Sequence, residues 1–335
     1  MTPRSLSPRT SRRSASRLLF FLSGEETGIP EAEARALVGA QDPLARFESP
    51  HRRVLIASTT ADPDSMETRI AYTRRIGRLV SENELDEGQM EALRRGTYAI
   101  MVFDLRKRGD SKKLVSQFAG KIGGRVSLDS PDVELTVVRA EEDYLAVTRP
   151  SSMRQNWVVR KPRARAFFHP SAIFPKFARV LVNFSRVGEG ETFLDPFCGT
   201  GSLLLEAAEV GATPLGIDLQ PKMTEGSSRN MKKFGQEWLG VVRADSKHIP
   251  VARIDAVATD IPYGRVSSTA GSSTGRIFQN LIKESSSIMA VGSRLVVMHP
   301  NSLDVPGHDG FVVEEQHHLP VHKKLIRTIT VLRRT

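Results

Sequence analysis

The sequence predicts an α/β protein whose C-terminal half forms a mostly parallel sheet with helices on both faces. Short apolar, β-branched runs that end in Asp or Pro recur after about residue 165, and helix-like segments at 201–210, 221–235 and 275–290 separate them. Such alternation is typical of a parallel sheet covered by helices. The last two runs leave no room for a helix between them, so we expect them to pair antiparallel.

Seven runs supply the strands of this predicted sheet. The five expected to be parallel are, in order, "ETFLDPF", "TPLGIDL", "LGVVRAD", "IDAVATD" and "RLVVMHP". The expected C-terminal hairpin consists of "GFVVEE" and "LIRTITVLRR". The β-branched and apolar residues of these runs suit a pleated, buried surface. The sheet should therefore consist of parallel strands and end on an antiparallel one.

The first half of the chain is predicted to contain smaller α+β units. In the first, strands in "RLLFFLSG" and "RRVLIAST" flank a helix in "IPEAEARALVGAQ", and a second helix spans 64–82. The second unit is predicted to begin with a strand in "TYAIMVFDLR". It continues with a helix in "SKKLVSQFAGKIG", which Gly123 and Gly124 should end. Strands in "RVSL" and "ELTVVRAEEDYLAVTR" follow.

Charge and cysteine content restrict the class of protein. The formal net charge of +10 predicts a polyanionic partner, most commonly nucleic acid. A membrane is not expected as partner, because no basic amphipathic helix stands out and "LLFFL" is too short to span one. The single cysteine, Cys198, excludes internal disulfides and fits a reducing cytosol, so we expect a cytoplasmic protein. The first 17 residues contain five Arg and no acid. We expect a disordered basic tail, with a presequence or an RNA-contacting arm as alternatives.

The segment "FLDPFCGTGSLLLEAA", residues 193–208, is the strongest local signal. A strand should end at Asp195, a turn with Gly199 and Gly201 should follow, and a helix should begin near Ser202. Glycine lets the backbone approach a ligand where a Cβ would collide, and a helix N-terminus offers unpaired N–H groups. An ordinary tight strand–helix turn is the alternative, which a glycine pair alone does not exclude.

Acids at the ends of the following strands favour a nucleoside cofactor. Asp218 ends the next strand, where a carboxylate can accept both ribose hydroxyls. Asp245 ends the third, where it or its neighbouring backbone can meet an adenine amino group, although each acid alone could cap a helix. A dinucleotide is disfavoured because the loop lacks the third glycine of G-x-G-x-x-G. The candidate cofactor residues at these strand ends are Asp195, Phe197, Cys198, Gly199, Thr200, Gly201, Asp218, Leu219, Asp245, Ser246 and Asp260.

The stretch Asp260-Ile261-Pro262-Tyr263 follows the fourth strand and resembles the Asp-Pro-Pro-Tyr of enzymes that methylate amino groups of bases. An aromatic amine is a poor nucleophile, because its lone pair is delocalised into the ring. An acceptor for its N–H aligns the lone pair and stabilises charge that grows on nitrogen. Asp260 can be that acceptor, Pro262 stiffens the turn and Tyr263 offers a face for the base to stack on. These three are the catalytic candidates, and Ile261 need only be apolar and compact.

Together these motifs resemble the archaeal tRNA guanine-N2 methyltransferases that act at position 10, members of the THUMP-domain methyltransferase family. The match spans nearly everything after the tail. "RAFFHPSAIFPKFARVLVNFSRV" is similar to the family's segment before the first core strand, which implies that Phe168, His169 and Pro170 lie near the cofactor. "AIMVFDLRKRGDSKKLVSQFAGKIGGRVSLDSPDVELTVV" resembles a THUMP domain. Ile261 departs from the family, where Pro is usual.

The resemblance implies S-adenosylmethionine as cofactor, a Rossmann-like class I methyltransferase core, and methylation of the N2 amine of a tRNA guanine, G10. Another tRNA or rRNA guanine, or a catalytically inactive RNA-binding protein, remains an alternative. So do mono- and dimethylation. We expect a monomer and leave open a small activating partner. The implied domains are a basic tail (1–17), a ferredoxin-like domain (18–88), a THUMP domain (89–150), a linker (151–165) and a methyltransferase domain (166–335).

A basic face is predicted within the THUMP-like segment. Nine basic residues stand against two acids between Arg94 and Arg125, and phosphate contacts of this kind position RNA without reading its sequence. A solvated basic surface is the alternative. The candidate RNA-binding residues are Arg106, Lys107, Arg108, Lys112, Lys113, Lys121 and Arg265. No metal is expected, since nothing at ligand spacing completes a set with His317, His318 and His322.

Overall fold

The computed structural model describes residues 15–25, 28–106, 111–150, 156–262, 274–303, 305, 310–322 and 325–335. The chain forms two compact units. The first consists of the described residues of Met1–Phe21, Val38–Asp64 and Arg75–Pro150, and the second of those of Leu22–Leu37, Ser65–Arg74 and Ser151–Thr335.

The first unit is built on an eight-stranded sheet with the strand order β2-β3-β1-β4-β8-β7-β5-β6. Its strands are β1 (Ser16–Leu22), β2 (Arg46–His51), β3 (Val54–Thr59), β4 (Thr73–Glu82), β5 (Thr97–Asp104), β6 (Arg125–Val126), β7 (Val133–Arg139) and β8 (Asp143–Thr148). The helices in this part of the sequence are α1 (Ile29–Gln41), α2 (Pro63–Glu67), α3 (Glu87–Arg94) and α4 (Ser111–Ile122). Strands from both predicted N-terminal domains join this one sheet, and the boundary between those domains stays a prediction.

The helix predicted over 64–82 is wrong. The structure has the five-residue α2 followed by strand β4, which pairs antiparallel with β8. Gly77 shows why a strand is favoured: a Cβ there would lie 2.5 Å from Thr148 Cγ2 and 2.6 Å from the Val147 carbonyl oxygen. The pairing with β8 needs this close approach, and it overrides the local helical pattern. The sequence interpretation also assigned no element to β2 or α3.

The second unit contains a seven-stranded sheet with the order β11-β10-β9-β12-β13-β15-β14. Its strands are β9 (Thr192–Asp195), β10 (Thr213–Asp218), β11 (Gly240–Arg243), β12 (Ala256–Asp260), β13 (Arg294–Pro300), β14 (Phe311–His322) and β15 (Leu325–Arg334). Strands β9 to β13 are parallel, and β15 is antiparallel to both of its neighbours. The prediction of a Rossmann-like core with an antiparallel last strand is therefore confirmed: β15, the last strand in the sequence, lies between β13 and β14.

Helices cover both faces of this sheet. They are α5 (Pro175–Phe184), α6 (Ser202–Glu209), α7 (Pro221–Lys233) and α8 (Thr274–Ile288). One apolar cluster joins α5, α6 and α7 to the sheet, with Phe184, Leu204 and Phe193 among its buried members. The other joins α8 to the opposite face through residues such as Phe278 and Val257. Central parallel strands buried on both faces are expected to be mainly apolar, and these strands are so away from their ends.

The predicted linker contains ordered, buried arginines in its described part, residues 156–165. Arg160 Nε donates to Glu206 Oε1 at 2.8 Å, and Arg179 Nη2 donates to Glu206 Oε2 at 2.7 Å. Both arginines and the glutamate are almost completely buried, so this ion-paired group fixes the segment against α5 and α6. A buried charge of this kind is tolerated only with its partners in place.

The parallel strands bring their carboxyl ends to one edge of the sheet. Asp195, Asp218 and Asp260 are the last residues of β9, β10 and β12. Strand order reverses between β9 and β12, and such a switch point is where open α/β sheets bind ligands. The fold therefore places all three acids at the expected ligand-binding edge. Among the described residues, no helix is long and apolar enough to cross a membrane.

Candidate active site

The loop between β9 and α6 contains two glycines whose backbones are in the left-handed region. Gly199 has a φ of 51° and Gly201 a φ of 77°, values that favour glycine. A Cβ on Gly201 would lie 2.4 Å from Ser227 Oγ, so the loop packs tightly on α7 there. Of the described residues, a Cβ on Gly199 would meet only the Phe197 carbonyl oxygen, at 4.0 Å. The backbone at Gly199 thus borders open space, which is the cradle that a ligand would fill.

Asp218 supports this loop from the end of β10. Its Oδ2 accepts a hydrogen bond from the Gly199 N–H at 3.0 Å, and its Oδ1 accepts one from Gln220 N–H at 2.8 Å. Burial raises the pKa of Asp218 above its ordinary value. Because a carboxylate oxygen can accept more than one hydrogen bond, these contacts leave capacity for ligand hydroxyls. Asp218 therefore suits the ribose-binding role as well as fixing the loop.

Asp195 joins β9 to β12 beneath the loop. Its Oδ1 accepts hydrogen bonds from Thr259 Oγ1 at 2.6 Å and from the Phe197 N–H at 3.1 Å. Burial raises the pKa of this carboxyl to about 7, and the nearby Asp218 and Asp260 add to the shift. The side chain is almost completely buried. Asp195 thus fixes the strand end from which the glycine loop starts.

Asp260 is the predicted catalytic acid, and its two oxygens have different surroundings. Oδ2 accepts a hydrogen bond from Arg327 Nη1 at 3.1 Å. Oδ1 is buried and has no hydrogen-bond partner among the residues that the structure describes. Burial raises the pKa of Asp260 to about 6, although the charge of Arg327 opposes the shift. A buried acceptor without a partner is costly in a folded protein unless a ligand satisfies it.

Of the three residues that follow Asp260 in the predicted motif, the structure describes Ile261 and Pro262. Ile261 is 1% exposed and packs with Phe278 in the α8-facing cluster, so its side chain belongs to the core. Its N–H donates to the Met298 carbonyl at 3.1 Å. Pro262 is half-buried at the end of the described segment. Tyr263, the third catalytic candidate, lies outside the described residues.

Arg165, which the sequence analysis did not single out, forms hydrogen bonds with residues of the glycine loop and the start of α6. Arg165 is buried; its Nη1 donates to Ser202 Oγ at 2.6 Å and approaches Thr200 Oγ1 at 3.4 Å. Its Nη2 donates to the Ile173 carbonyl at 3.1 Å. Burial lowers the pKa of Arg165 to about 10, which leaves the guanidinium charged at neutral pH. Arg165 thereby holds the segment after it against the start of α6.

The structure brings the Phe168, His169 and Pro170 segment beside the loop. Asn230 on α7 accepts the Phe167 N–H at 2.7 Å and donates to the Thr200 carbonyl at 2.9 Å, so it bridges the two. Phe168 is 45% exposed, with the Arg163 guanidinium 5.4 Å from its ring centroid. His169 Nδ1 lies 2.7 Å from Ser171 Oγ. The family resemblance implied this proximity to the cofactor loop.

Two further candidate positions lie at the edge without joining the loop. Asp245 Oδ1 accepts the Lys247 N–H at 3.0 Å, and no hydrogen bond of the described residues links Asp245 or Ser246 to the glycines. Leu219 is partly exposed beside them. Cys198 is buried, and burial raises the pKa of its thiol well above the ordinary value, which makes it unsuited to act as a nucleophile.

The predicted RNA-binding residues of the first unit differ in their surroundings. Arg106 Nη2 is engaged by Asp143 Oδ1 at 2.7 Å and its Nε by the Ala140 carbonyl. Lys112 and Lys113 are exposed on α4. Lys121 is also exposed, 3.2 Å from Glu84 Oε1. Lys107, Arg108 and Arg265 lie outside the described residues.

The histidines considered as metal ligands have other partners in the described residues. His317 Nε2 lies 3.0 Å from Glu315 Oε2, and His318 Nδ1 lies 3.0 Å from Thr328 Oγ1. The imidazole of His317 stacks on Phe184, with ring centroids 5.1 Å apart. Within the part of the chain that the structure describes, no group of three or more His, Cys, Asp or Glu could hold a metal ion.

Comparison with known proteins agrees with the geometry of this site. Residues 162–308 match the family described as RMKL-like, methyltransferase domain. The tRNA (guanine(10)-N2)-dimethyltransferase of Methanothermobacter thermautotrophicus is 27% identical over 95% of this chain and 99% of its own length. The crystal structure of TrmN from Thermus thermophilus, 18% identical, matches with a TM-score of 0.51 over 95% of this chain and 100% of that one, which shows the shared fold.

One shorter relative establishes the family. The probable tRNA (guanine(10)-N2)-dimethyltransferase of Methanothermococcus thermolithotrophicus is 32% identical over 172 residues, which cover 48% of this chain and 99% of the relative. The glycine loop and the three strand-end acids described above lie within residues 162–308, which match the methyltransferase domain family. The chain therefore belongs to the archaeal tRNA (guanine(10)-N2)-dimethyltransferase family of methyltransferases.

Proposed function

We propose that this protein transfers a methyl group from S-adenosylmethionine to the N2 amine of a guanine in tRNA, with G10 as the target. The observation that carries the proposal is the buried Oδ1 of Asp260, which has no hydrogen-bond partner in the described part of the chain. The names of the relatives from Methanothermobacter and Methanothermococcus supply the base and its position. The structure supplies an acceptor that an amine N–H would satisfy.

The residues of the glycine loop fit the proposed cofactor. Gly199 leaves open space above the backbone, and Asp218 offers a carboxylate for ribose hydroxyls. Asp245 and Ser246, in the loop after β11, would meet the adenine, and Phe168 to Pro170 would close the site from the preceding segment. When bound, S-adenosylmethionine supplies a methyl group on a positively charged sulfur. The acids at this edge favour such a cation over an anionic nucleotide.

Asp260 has two tasks in the proposed reaction. Its Oδ1 accepts an N–H of the guanine amine, which orients the nitrogen lone pair. The same contact stabilises the positive charge that nitrogen gains as the new C–N bond forms and the methyl–sulfur bond breaks, with S-adenosylhomocysteine as the leaving group. The nitrogen then loses a proton, which Oδ1 can receive and release to solvent. A pKa near 6 suits this role, because the carboxyl is ionised at neutral pH yet basic enough to take a proton. The Ile261 carbonyl is a second acceptor, and Tyr263 is proposed as the stacking face for the base.

The basic residues of α4 are proposed to contact tRNA phosphates. Lys112, Lys113 and Lys121 are exposed, whereas the Arg106 guanidinium is engaged within its own unit. We assign the phosphate contacts mainly to these lysines, with Lys107, Arg108 and Arg265 as further candidates. The THUMP assignment of 89–150, with its ferredoxin-like neighbour at 18–88 and the catalytic domain at 166–335, belongs to the same proposal. We propose that these contacts hold the acceptor end of the tRNA and thereby set its distance from the catalytic pocket.

The substrate is tested by nucleoside mass spectrometry. Unmodified tRNA is incubated with the purified protein and S-adenosylmethionine, and its nucleosides are analysed for N2-methylguanosine and N2,N2-dimethylguanosine. We expect one or both products with wild-type tRNA and neither with a transcript that carries adenosine at position 10. Methylation that persists in the substituted transcript would move the target to another guanine. Absence of any product from both transcripts would contradict the proposal for the chain acting alone.

The cellular setting completes the proposal. We propose a cytosolic enzyme, which the single cysteine and the tRNA-modifying relatives support. We also propose that it acts as a monomer. Light scattering after size-exclusion chromatography measures the mass of the particle. Because the assay above uses the purified chain, it also tests whether a small activating partner is needed.

A further inference from the structure

Strand β15 brings an arginine to the acid at the end of β12, although β13 lies between the two strands. Asp260 is aligned with Met298 of β13, and Pro300 of β13 is aligned with Arg327 of β15. Met298 and Pro300 are two residues apart, so their side chains share a face of the sheet. The distance across two strand spacings is about 10 Å, which only a long side chain can bridge. Arg327 does so: its Nη1 lies 3.1 Å from Asp260 Oδ2 and 3.7 Å from Met298 Sδ.

The charges around Asp260 make this contact important. Asp195, at the end of β9, lies close enough to Asp260 for the two like charges to interact. Asp260 and Asp218 both raise the pKa of Asp195. From β15, Arg327 supplies positive charge and holds the pKa of Asp260 below the value that burial alone would give. Arg327 is the cation that forms an ion pair with Asp260 among the described residues. Because burial raises the pKa of Asp260, this carboxyl would bind a proton more readily without the cation, and its protonated form would stop accepting hydrogen bonds from an amine.

We infer that Arg327 is a positioning residue for methyl transfer: it holds Oδ2 of Asp260 so that the ionised Oδ1 faces the substrate amine. The inference rests on the proposed function, since the amine belongs to the substrate proposed above. Arg327 acts through Asp260 and need not touch the base. Its planar, delocalised charge suits a fixed contact with one oxygen better than the mobile ammonium of lysine does.

A purely structural role is the alternative, in which the ion pair only fastens β15 to the sheet. The two roles predict different behaviour when the charge is removed. A structural contact changes the free energy of unfolding and leaves the ionisation of the catalytic acid as it was. A positioning contact changes the pH at which Asp260 loses activity, because an opposite charge lowers a neighbouring carboxyl pKa by about 1–3 units.

The first experiment measures the pH dependence of kcat/KM for tRNA in Arg327→Met, Arg327→Gln and Arg327→Lys. For the two neutral variants we expect the acid limb of the profile to move to higher pH by about one unit or more. At pH 7 a one-unit shift by itself lowers the ionised fraction of Asp260 roughly twofold, and the rate should fall further because Oδ2 is no longer held. Arg327→Lys keeps the charge, so its acid limb should stay near that of the wild type while kcat drops. Arg333→Met is the matched control: Arg333 lies on the same strand and pairs with Glu314 at 2.8 Å, and its loss should leave the limb unmoved. An unchanged acid limb in both neutral variants would overturn the inference.

The second experiment does not depend on catalysis. The wild type and the Arg327 variants are labelled with ¹³C at the aspartate carboxyl, and the Asp260 signal is assigned by its loss in Asp260→Asn. We expect a higher Asp260 pKa in Arg327→Met, with cofactor affinity by calorimetry close to wild type as evidence of a folded site. A shifted pKa in a protein that methylates no tRNA would contradict the proposed function and leave Arg327 as the residue that sets the ionisation of Asp260. An unshifted pKa would overturn the inference whatever the activity.

Discussion

Three carboxylates at the carboxyl edge of the second sheet differ in their burial and in their hydrogen-bond partners. Asp218 is half-buried and holds the glycine loop, and Asp195 is buried beneath it. Within the described ranges, Asp260 is paired on one oxygen only. Burial raises the pKa of all three, to about 7 for Asp195 and to about 6 for Asp260. Functional sites commonly hold groups perturbed in this way, at a cost in stability. Each acid can be tested separately.

Asp195→Asn should stabilise the protein at high pH. The folded-state pKa of Asp195, about 7, lies above its ordinary value of 3.8, so the stability associated with this group is full below 3.8 and is lost as pH rises through 7. The amide oxygen can still accept from Thr259 and Phe197 without a charge. Urea unfolding at pH 8 and at pH 4 measures the difference. We expect the variant to exceed the wild type at pH 8 and the gap to shrink towards pH 4, and an equal gap at both values would show that Asp195 does not titrate as described.

Asp218→Ala should weaken cofactor binding. The change removes the proposed acceptor of the ribose hydroxyls and also the support of the Gly199 N–H. Hydrogen bonds to a charged group contribute about 1.5–3 kcal/mol, so we expect affinity for S-adenosylmethionine to fall by roughly 10- to 150-fold. Isothermal titration calorimetry measures it directly. Wild-type affinity in this variant would remove Asp218 from the cofactor site.

Asp260→Ala should reduce turnover without comparable loss of binding. Removal of one preorganised charge-stabilising contact typically costs roughly 10²–10³ in rate. The cofactor and the tRNA are proposed to be held mainly elsewhere, so their dissociation constants should change little. Single-turnover methylation with saturating substrates separates the two effects. If the variant methylates at the wild-type rate, the acceptor role proposed for Asp260 Oδ1 is wrong.

At the scale of elements, the turn after β12 is held by backbone contacts that the family's usual residue would not make. The N–H of Ile261 donates to the Met298 carbonyl of β13, and the side chain packs against α8. Proline has no N–H, so it cannot form this hydrogen bond. In this chain, the isoleucine at the second position of the motif therefore stabilises the turn through its N–H and its packing against α8.

Ile261→Pro should destabilise the protein more than it slows the reaction. The Met298 carbonyl would lose its partner, at a cost of about 1–3 kcal/mol in the free energy of unfolding. The carboxylate of Asp260 and its contact with Arg327 do not involve the Ile261 side chain, so activity per folded molecule should be largely kept. Urea denaturation and methylation assays below the unfolding midpoint measure the two quantities. A large loss of turnover in fully folded Ile261→Pro would show that the isoleucine itself serves the chemistry.

At the scale of the whole molecule, the second unit is assembled from segments far apart in sequence. Glu33 of α1 accepts the Tyr72 N–H at 2.7 Å and the side-chain amide of Asn183, on α5, at 2.7 Å. Arg179 Nη1 donates to the Thr68 carbonyl at 3.0 Å. A fragment that starts near Arg165 would lose these buried partners. Binding roles are therefore better assigned with substitutions in the full chain than with truncations.

The net charge of +10 makes binding of tRNA dependent on salt, and α4 offers a specific test. Lys113→Glu should weaken tRNA binding several-fold at about 0.1 M salt, and the slope of log affinity against log salt should fall by about 1. Lys283→Glu, at an exposed position on α8, is the matched control and should have little effect. Fluorescence anisotropy over a range of salt concentrations gives both slopes. Equal losses in the two variants would show that general charge, and not the α4 face, accounts for binding.

The sequence by itself determined the features that depend on neighbouring residues. Strand and helix periodicity predicted the parallel core and its antiparallel end, and the spacing of Gly199, Gly201, Asp218 and Asp260 predicted the edge at which they meet. These features are local, because backbone hydrogen bonding and side-chain alternation repeat over a few residues. The roles of the site residues, the position of Tyr263 and the domain boundaries stay predictions.

Only the tertiary structure decided the contacts between distant parts of the chain. Arg327 meets Asp260 from 67 residues away, and Arg165 meets Ser202 from 37 residues away. Residues 73–82 form β4 because β8 offers a partner that a local helix would lack. No spacing rule encodes such pairs, since they arise from strand order and from the need to neutralise buried charge. The site therefore has a glycine loop and acids that the sequence displays, and an arginine that only the folded sheet brings to them.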